Sequence, residues 1–171
     1  MGNSGRRMVS RFRLLGLAFA ALAVLFIPQQ FLAQANKNSA ADPWDKTQVM
    51  TPEELVKLLA NPDSANPLVV CVGFEFLYKG AHVPGARFIG HGKDAKGIEA
   101  LKRWAGSIPP DRDIVIYCGC CPLKQCPNLR PAFQALRETK PTHLKVLFIE
   151  ESLAKDWVEK GYPVEKGGEQ K

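Results

Sequence analysis

Unbroken apolar runs alternate along this chain with spaced apolar clusters. Leu68-Val69-Val70-Cys71-Val72 and Ile114-Val115-Ile116-Tyr117 are continuous and rich in β-branched residues. Such runs read as strands of a parallel sheet covered on both faces. Lys145–Ile149 is a third run of this kind, and Arg87-Phe88-Ile89 a shorter fourth. Helical spacing fills the intervals. Thr51-Pro52-Glu53-Glu54 predicts a helix start, with Thr51 as N-cap, Pro52 at the first helical position and Glu54 closing a capping box. Leu55, Leu58 and Leu59 form its apolar face, and Asn61-Pro62 stops it. Ile98, Leu101 and Trp104 predict a helix over 95–105, and Ala132, Phe133 and Leu136 another over 129–138. Residues 74–80 read as one helical turn. A last helix is expected over 151–160, with Leu153, Trp157 and Val158 facing inward. Gly161 ends it. Strands alternating with helices predict an α/β domain with a mainly parallel central sheet flanked by helices.

The amino end has a different character. Arg6, Arg7, Arg11 and Arg13 precede Leu14–Ile27, an uncharged apolar stretch, and Ala33-Gln34-Ala35 follows. A basic region, a short apolar core and a small-residue site predict a signal peptide over 1–35, cleaved after Ala35. An uncleaved anchor is the alternative, although a span needs ~20 apolar residues. A polar lead-in is expected over 36–46, in which Pro43-Trp44 packs on the domain surface. The domain proper is expected over 47–165, with a polar tail at 166–171. The location implied is periplasmic or secreted, with no membrane attachment after cleavage. The formal net charge of the chain is +6, and removing the four leader arginines leaves +2. Charge therefore gives a nucleic-acid partner no support.

Four of the five cysteines fall within nine residues: Cys118, Cys120, Cys121 and Cys126. They follow directly on the Ile114–Tyr117 strand and precede the helix expected from residue 129. A cysteine between a strand end and a helix start is placed to ionise, because loop N–H groups and the helix dipole favour negative charge. Export would put these thiols in an oxidising compartment. An odd number leaves at least one unpaired within the chain.

With those elements in order, the chain resembles the rhodanese-like domains. The resemblance rests on the capped helix TPEELVKLL, on AHVPGA at 81–86, on IVIYC at 114–118, on the strand KVLFI, and on Trp157 followed by Gly161-Tyr162-Pro163-Val164. It covers about residues 47–165 and implies a single rhodanese-like domain. Cys118 then stands where the family carries its persulfide-forming cysteine, and the implied activity is sulfur transfer through that thiolate. His82 would be a structural residue of its turn. Two departures stand out. The first core strand ends in Cys71-Val72-Gly73 in place of the family's Asp-Val-Arg. The active loop is longer than usual and carries three added cysteines.

Those added cysteines, Cys120, Cys121 and Cys126, have three readings. They can act as resolving thiols in thiol–disulfide exchange, join in a structural disulfide that pins the loop, or ligate a metal. The spacing C-x-C-C-x4-C is not the paired C-x2-C of zinc sites. Side chains of the adjacent Cys120 and Cys121 are expected to diverge, so no metal and no cofactor is expected. Cys71 reads as a small buried hydrophobe. Lys124 and Arg130 are candidates for attracting an anionic substrate. The partners expected are a small sulfur-containing anion or a protein thiol acceptor. The alternatives to a sulfurtransferase are a redox module, or an inactive rhodanese fold used for metal binding or protein interaction.

Overall fold

The computed structural model describes residues 41–61, 65–141 and 143–168. The expected leader and most of the lead-in lie outside them, as does the end of the tail. From Asp42 onward the chain forms one compact unit. Among the described residues no helix is long and apolar enough to cross a membrane.

Five strands form a single sheet: β1 (Val49–Met50), β2 (Leu68–Cys71), β3 (Arg87–Phe88), β4 (Asp113–Tyr117) and β5 (His143–Leu147). Their order is β1-β5-β4-β2-β3, and every pairing is parallel. The helices are α1 (Pro52–Ala60), α2 (Glu75–Gly80), α3 (Ala95–Gly106) and α4 (Leu129–Glu138). The helix start read from the sequence is present in full. Thr51 Oγ1 accepts from the Glu54 N–H, and the Glu54 carboxylate accepts from the Thr51 N–H.

The period of two in β4 divides the core. Ile114 and Ile116 join the cluster under α3 and α4, with Leu101, Phe133 and Leu136. Val115 and Tyr117 join the opposite cluster, with Leu55, Leu153 and Trp157. A strand with both faces covered has no polar position to offer, which is why these runs are unbroken. β4 lies between β5 and β2, so its carboxyl end opens at the centre of the sheet's edge. In open parallel sheets that edge is where ligands bind.

Three elements differ from expectation. β1 is too short to show a pattern, yet it pairs with β5 in the register Val49↔Val146. Before it, Asp45 caps a single 3₁₀ turn at Lys46–Gln48. Trp44 is buried edge-on against Phe133, so the lead-in packs on the domain from this point. β5 lies two residues earlier than the apolar run suggests, because its register is set by Asp113↔His143. Ile149 leaves the ladder, and its carbonyl accepts from the Leu123 N–H in the cysteine loop. The last helix is a π-helical turn over Ala154–Val158. Asp156 accepts from the N–H groups of Glu151 and Ser152 ahead of it, and Trp157 Nε1 donates to the Pro163 carbonyl behind. Leu153 and Trp157 are buried as read, but Val158 is 39% exposed.

Candidate active site

Cys118 is the first residue past β4, and the chain turns sharply after it. Gly119 has φ +78°, and bends follow at Cys120 and Cys121. A residue with a side chain would be strained in that left-handed conformation. The loop then makes a 3₁₀ turn at Leu123–Gln125 and reaches Cys126 and Asn128 before α4. Two backbone bonds tie it to the segment after β5: Leu123 N–H to the Ile149 carbonyl, and Leu153 N–H to the Gly119 carbonyl.

All five cysteines are free thiols in this structure, and the loop brings four of them together. Cys120 Sγ lies 3.1 Å from Cys118 Sγ and 3.3 Å from Cys121 Sγ. Cys126 is buried and its thiol bonds to Cys118. The expected divergence of Cys120 and Cys121 is therefore not found, because the bends after Gly119 swing both sulfurs to one side. Asn128 is buried, and its Nδ2 donates to Cys118 Sγ at 3.2 Å.

These donors lower the Cys118 pKa from 9.0 to about 5. The Cys126 thiol contributes most, then the Asn128 amide and the Cys120 thiol, with the Cys120 N–H adding to them against the opposing effect of burial. Cys126 is pushed up chiefly by holding its proton toward Cys118, and Cys120 chiefly by burial. Cys118, Cys120 and Cys126 thus share one negative charge, which rests on Cys118. The sequence pattern pointed to backbone N–H groups and a helix terminus as the source of ionisation. The loop is too long for that, and side chains take over. The sign follows directly: the nucleophile is present above pH 5 and lost as pH falls through it. Alkylation of Cys118 by iodoacetamide should be half-maximal near pH 5, followed by mass spectrometry across pH. An unperturbed thiol would rise only toward 9.0.

Asn128 is the site residue that the sequence concealed. An asparagine just before a helix reads as an N-cap. Here it makes no side-chain cap bond, because its amide is turned to the sulfur. Its Oδ1 is buried without a hydrogen-bond partner. Leaving a buried acceptor unpaired costs about 1–3 kcal/mol.

Cys118 and Cys120 border a cavity of about 410 Å³. Cys71, Tyr117, Cys118, Gly119 and Cys120 line it on one side, and residues from 76–81 and 152–158 supply the rest. None of the lining residues is acidic, basic or a histidine. Phe76 (70% exposed), Leu77 and Val158 are the exposed large hydrophobic residues among those described, and all three line this cavity. Cys71 is buried, as read, and burial pushes its thiol up to about 12.

The cationic candidates lie elsewhere. Arg130 is bound to Asp42 at 2.5 Å and to the carbonyls of Cys126 and Lys124, with its guanidinium 5.8 Å from the centre of the Trp44 ring. It fastens the loop to the lead-in and does not line the cavity. Lys124 is exposed on the 3₁₀ turn and does not line it either. His82 is buried, stacked on Tyr78 and bonded to the Tyr78 carbonyl, as a structural residue of its turn. His91 pairs with Asp94 and packs edge-on against Phe74. His143 pairs with Asp113 at the far end of β4.

No protein-family model matches the sequence, and no curated protein does. Solved structures do. The Alr3790 protein from Anabaena sp. superposes with a TM-score of 0.51 at 22% identity, over 68% of this chain and 82% of that one. The rhodanese-like domain of that protein, solved in solution, gives 0.50 at 21% identity, over 72% and 88%. A rhodanese-like domain protein from Staphylococcus aureus gives 0.45 at 14% identity, over 71% and 99%. The all-parallel sheet and its flanking helices, matched at that level, give this chain the rhodanese-like fold, with a cysteine-rich loop at the carboxyl end of the central strand.

Proposed function

We propose that this protein transfers sulfane sulfur through Cys118. The observation that carries the reading is a cysteine held as a thiolate at the wall of a cavity, after the central strand. In the first step the Cys118 thiolate attacks the outer sulfur of a donor persulfide. The donor's S–S bond breaks and its own thiolate leaves. Cys118 then carries the persulfide, stabilised by the donors that stabilise its thiolate. In the second step an acceptor thiolate attacks that outer sulfur, and Cys118 returns as a thiolate. No net oxidation occurs.

The cavity favours one kind of partner. A compact anion such as thiosulfate gains most from a cationic clamp, and Lys124 and Arg130 supply none at the cavity. Exposed apolar side chains at its mouth favour a thiol flanked by apolar groups, as on a protein surface. Export through the leader goes with this reading, and the intact mass of the mature chain reports cleavage after Ala35.

The test is to treat the reduced chain with an alkyl persulfide and, separately, with thiosulfate. Mass spectrometry should find one added sulfur, on Cys118, with the alkyl persulfide far more effective. Cys118→Ser should take up none. Sulfur uptake by the serine variant equal to that of the parent would overturn the proposal. Thiol–disulfide exchange is the second reading, favoured by the 3.1 Å approach of Cys120 to Cys118. The same spectrum separates the two. A redox module gains no sulfur, and on treatment with a disulfide oxidant it loses two hydrogens.

A further inference from the structure

Sulfur transfer needs one sulfur of the loop, and the geometry gathers more. Cys118, Cys120 and Cys121 offer three Sγ atoms that all lie within 4.8 Å of one another. Cys120 and Cys121 are half-buried, which leaves the set open to solvent on one side. Cys126 touches Cys118 but lies outside this trio, so the set has three donors. No histidine or carboxylate belongs to it.

That composition is selective. Oxygen-seeking cations find no ligand here. Structural zinc is held by four ligands in a tetrahedron. Thiolate-only donors favour soft ions, and copper(I) is the soft ion among the common biological metals. At a metal–thiolate length of about 2.3 Å, three sulfurs around one ion stand roughly 4 Å apart. The approaches of 3.1 and 3.3 Å therefore need to open by less than about 1 Å. Side-chain rotation at Cys120 and Cys121, which are half-buried, supplies a change of that size.

We propose that Cys118, Cys120 and Cys121 form a three-thiolate site for copper(I). On binding, the ion joins the existing Cys118 thiolate and displaces the thiol protons of Cys120 and Cys121 to solvent. Copper stays in the +1 state, and nothing is oxidised or reduced. Thiol ligands lose their protons on binding, and the cation neutralises the thiolates so formed. Coordination draws the charge of the Cys118 thiolate onto the cation and weakens it as a nucleophile, so copper(I) would also suppress sulfur transfer. That consequence rests on the function proposed above, while the binding itself does not.

The experiment is an anaerobic titration of the full, reduced chain with copper(I) held by the coloured chelator bicinchoninate, and a parallel titration with zinc(II). The chain should withdraw one equivalent of copper(I). Cys121→Ser should bind it at least about tenfold more weakly, the low end of what even outer-shell changes cost a metal site. The variant should keep its circular dichroism and its copper-free sulfur uptake, which shows that a ligand and not the fold was lost. Two results would overturn the site: copper left entirely on the chelator, or copper affinity unchanged in both Cys120→Ser and Cys121→Ser. Tighter competition by zinc(II) than by copper(I) would overturn the choice of ion. Sulfur uptake measured without metal keeps the two proposals apart. Uptake without copper binding removes only the metal site, and copper binding without uptake removes only the transferase.

Discussion

Asn128→Asp should slow the alkylation of Cys118 at pH 6 by about 100-fold, without unfolding the chain. The substitution keeps the size and shape of the side chain. It exchanges an N–H donor 3.2 Å from the sulfur for a carboxylate oxygen. A thiolate that was hydrogen-bonded then faces a like charge at the same distance. A neighbouring charge moves a pKa by about 1–3 units, and the lost donor adds to that in the same direction. Together they amount to about three units, enough to move the Cys118 pKa from about 5 to about 8 and leave only about a hundredth of the thiol ionised at pH 6. The pH–rate curve decides the matter. A shift of its midpoint to higher pH identifies an electrostatic role. A lower plateau at an unchanged midpoint would mean that Asn128 only shapes the loop. Sulfur uptake should fall in parallel, because both reactions draw on the same anion. Asn128→Leu is the companion variant: it removes the donor without adding charge, and also removes the unpaired Oδ1, so its shift should be smaller.

Gly73→Ala should cost sulfur uptake about as much, by a different route. A methyl group at residue 73 would stand 2.2 Å from the Cys118 carbonyl oxygen and 3.2 Å from its sulfur. The nearest atom is backbone, so no side-chain rotation relieves the clash. The loop must shift by more than an ångström to restore contact distance. Misplacing a reacting group by about 1 Å can cost around 100-fold in rate. Overpacking of this kind costs about 1–3 kcal/mol in stability. Urea unfolding measures the second effect, and uptake from an alkyl persulfide the first. Full uptake in a destabilised variant would show that the loop moves without harm to Cys118. In contrast with Asn128→Asp, the midpoint of the pH–rate curve is not the readout here; the plateau is.

That glycine shows what the sequence made legible. Cys71-Val72-Gly73 stood out as a departure from Asp-Val-Arg, and in the sequence it read only as the loss of an acid and an arginine. The structure gives it a positive reason, because β2 and the start of the cysteine loop are packed too closely for any side chain at 73. The long elements were readable because burial on both faces leaves unbroken apolar runs, as in Leu68–Val72 and Ile114–Tyr117. The cap at Thr51 was readable because both its bonds join residues three apart. β1 was not, since two residues make no pattern. Neither was the π turn at Ala154–Val158, whose contacts run to Pro163 and back to Glu151. Cys118 could be singled out by its place after a strand. Its true donors could not, because Cys126 and Asn128 reach it only when a loop of irregular shape folds back. Arg130 read as a candidate for attracting an anionic substrate because it is a cation near the active loop. Asp42 and Trp44, far off in sequence, claim it instead.

The mouth of the cavity has one more consequence, for the speed of encounter. The charges that flank it are cancelled locally: Glu75 is paired with Lys79 on α2, and Lys155 with Glu159 beside the π turn. With an apolar collar between these paired charges, the side chains at the mouth should steer a partner little. Association then proceeds at the unsteered rate of about 10⁵–10⁶ M⁻¹s⁻¹ and varies little with ionic strength. Salts that strengthen apolar burial would prolong the encounter instead of shortening it. On the function proposed above, selection at this site would act on how long a partner stays, not on how fast it arrives.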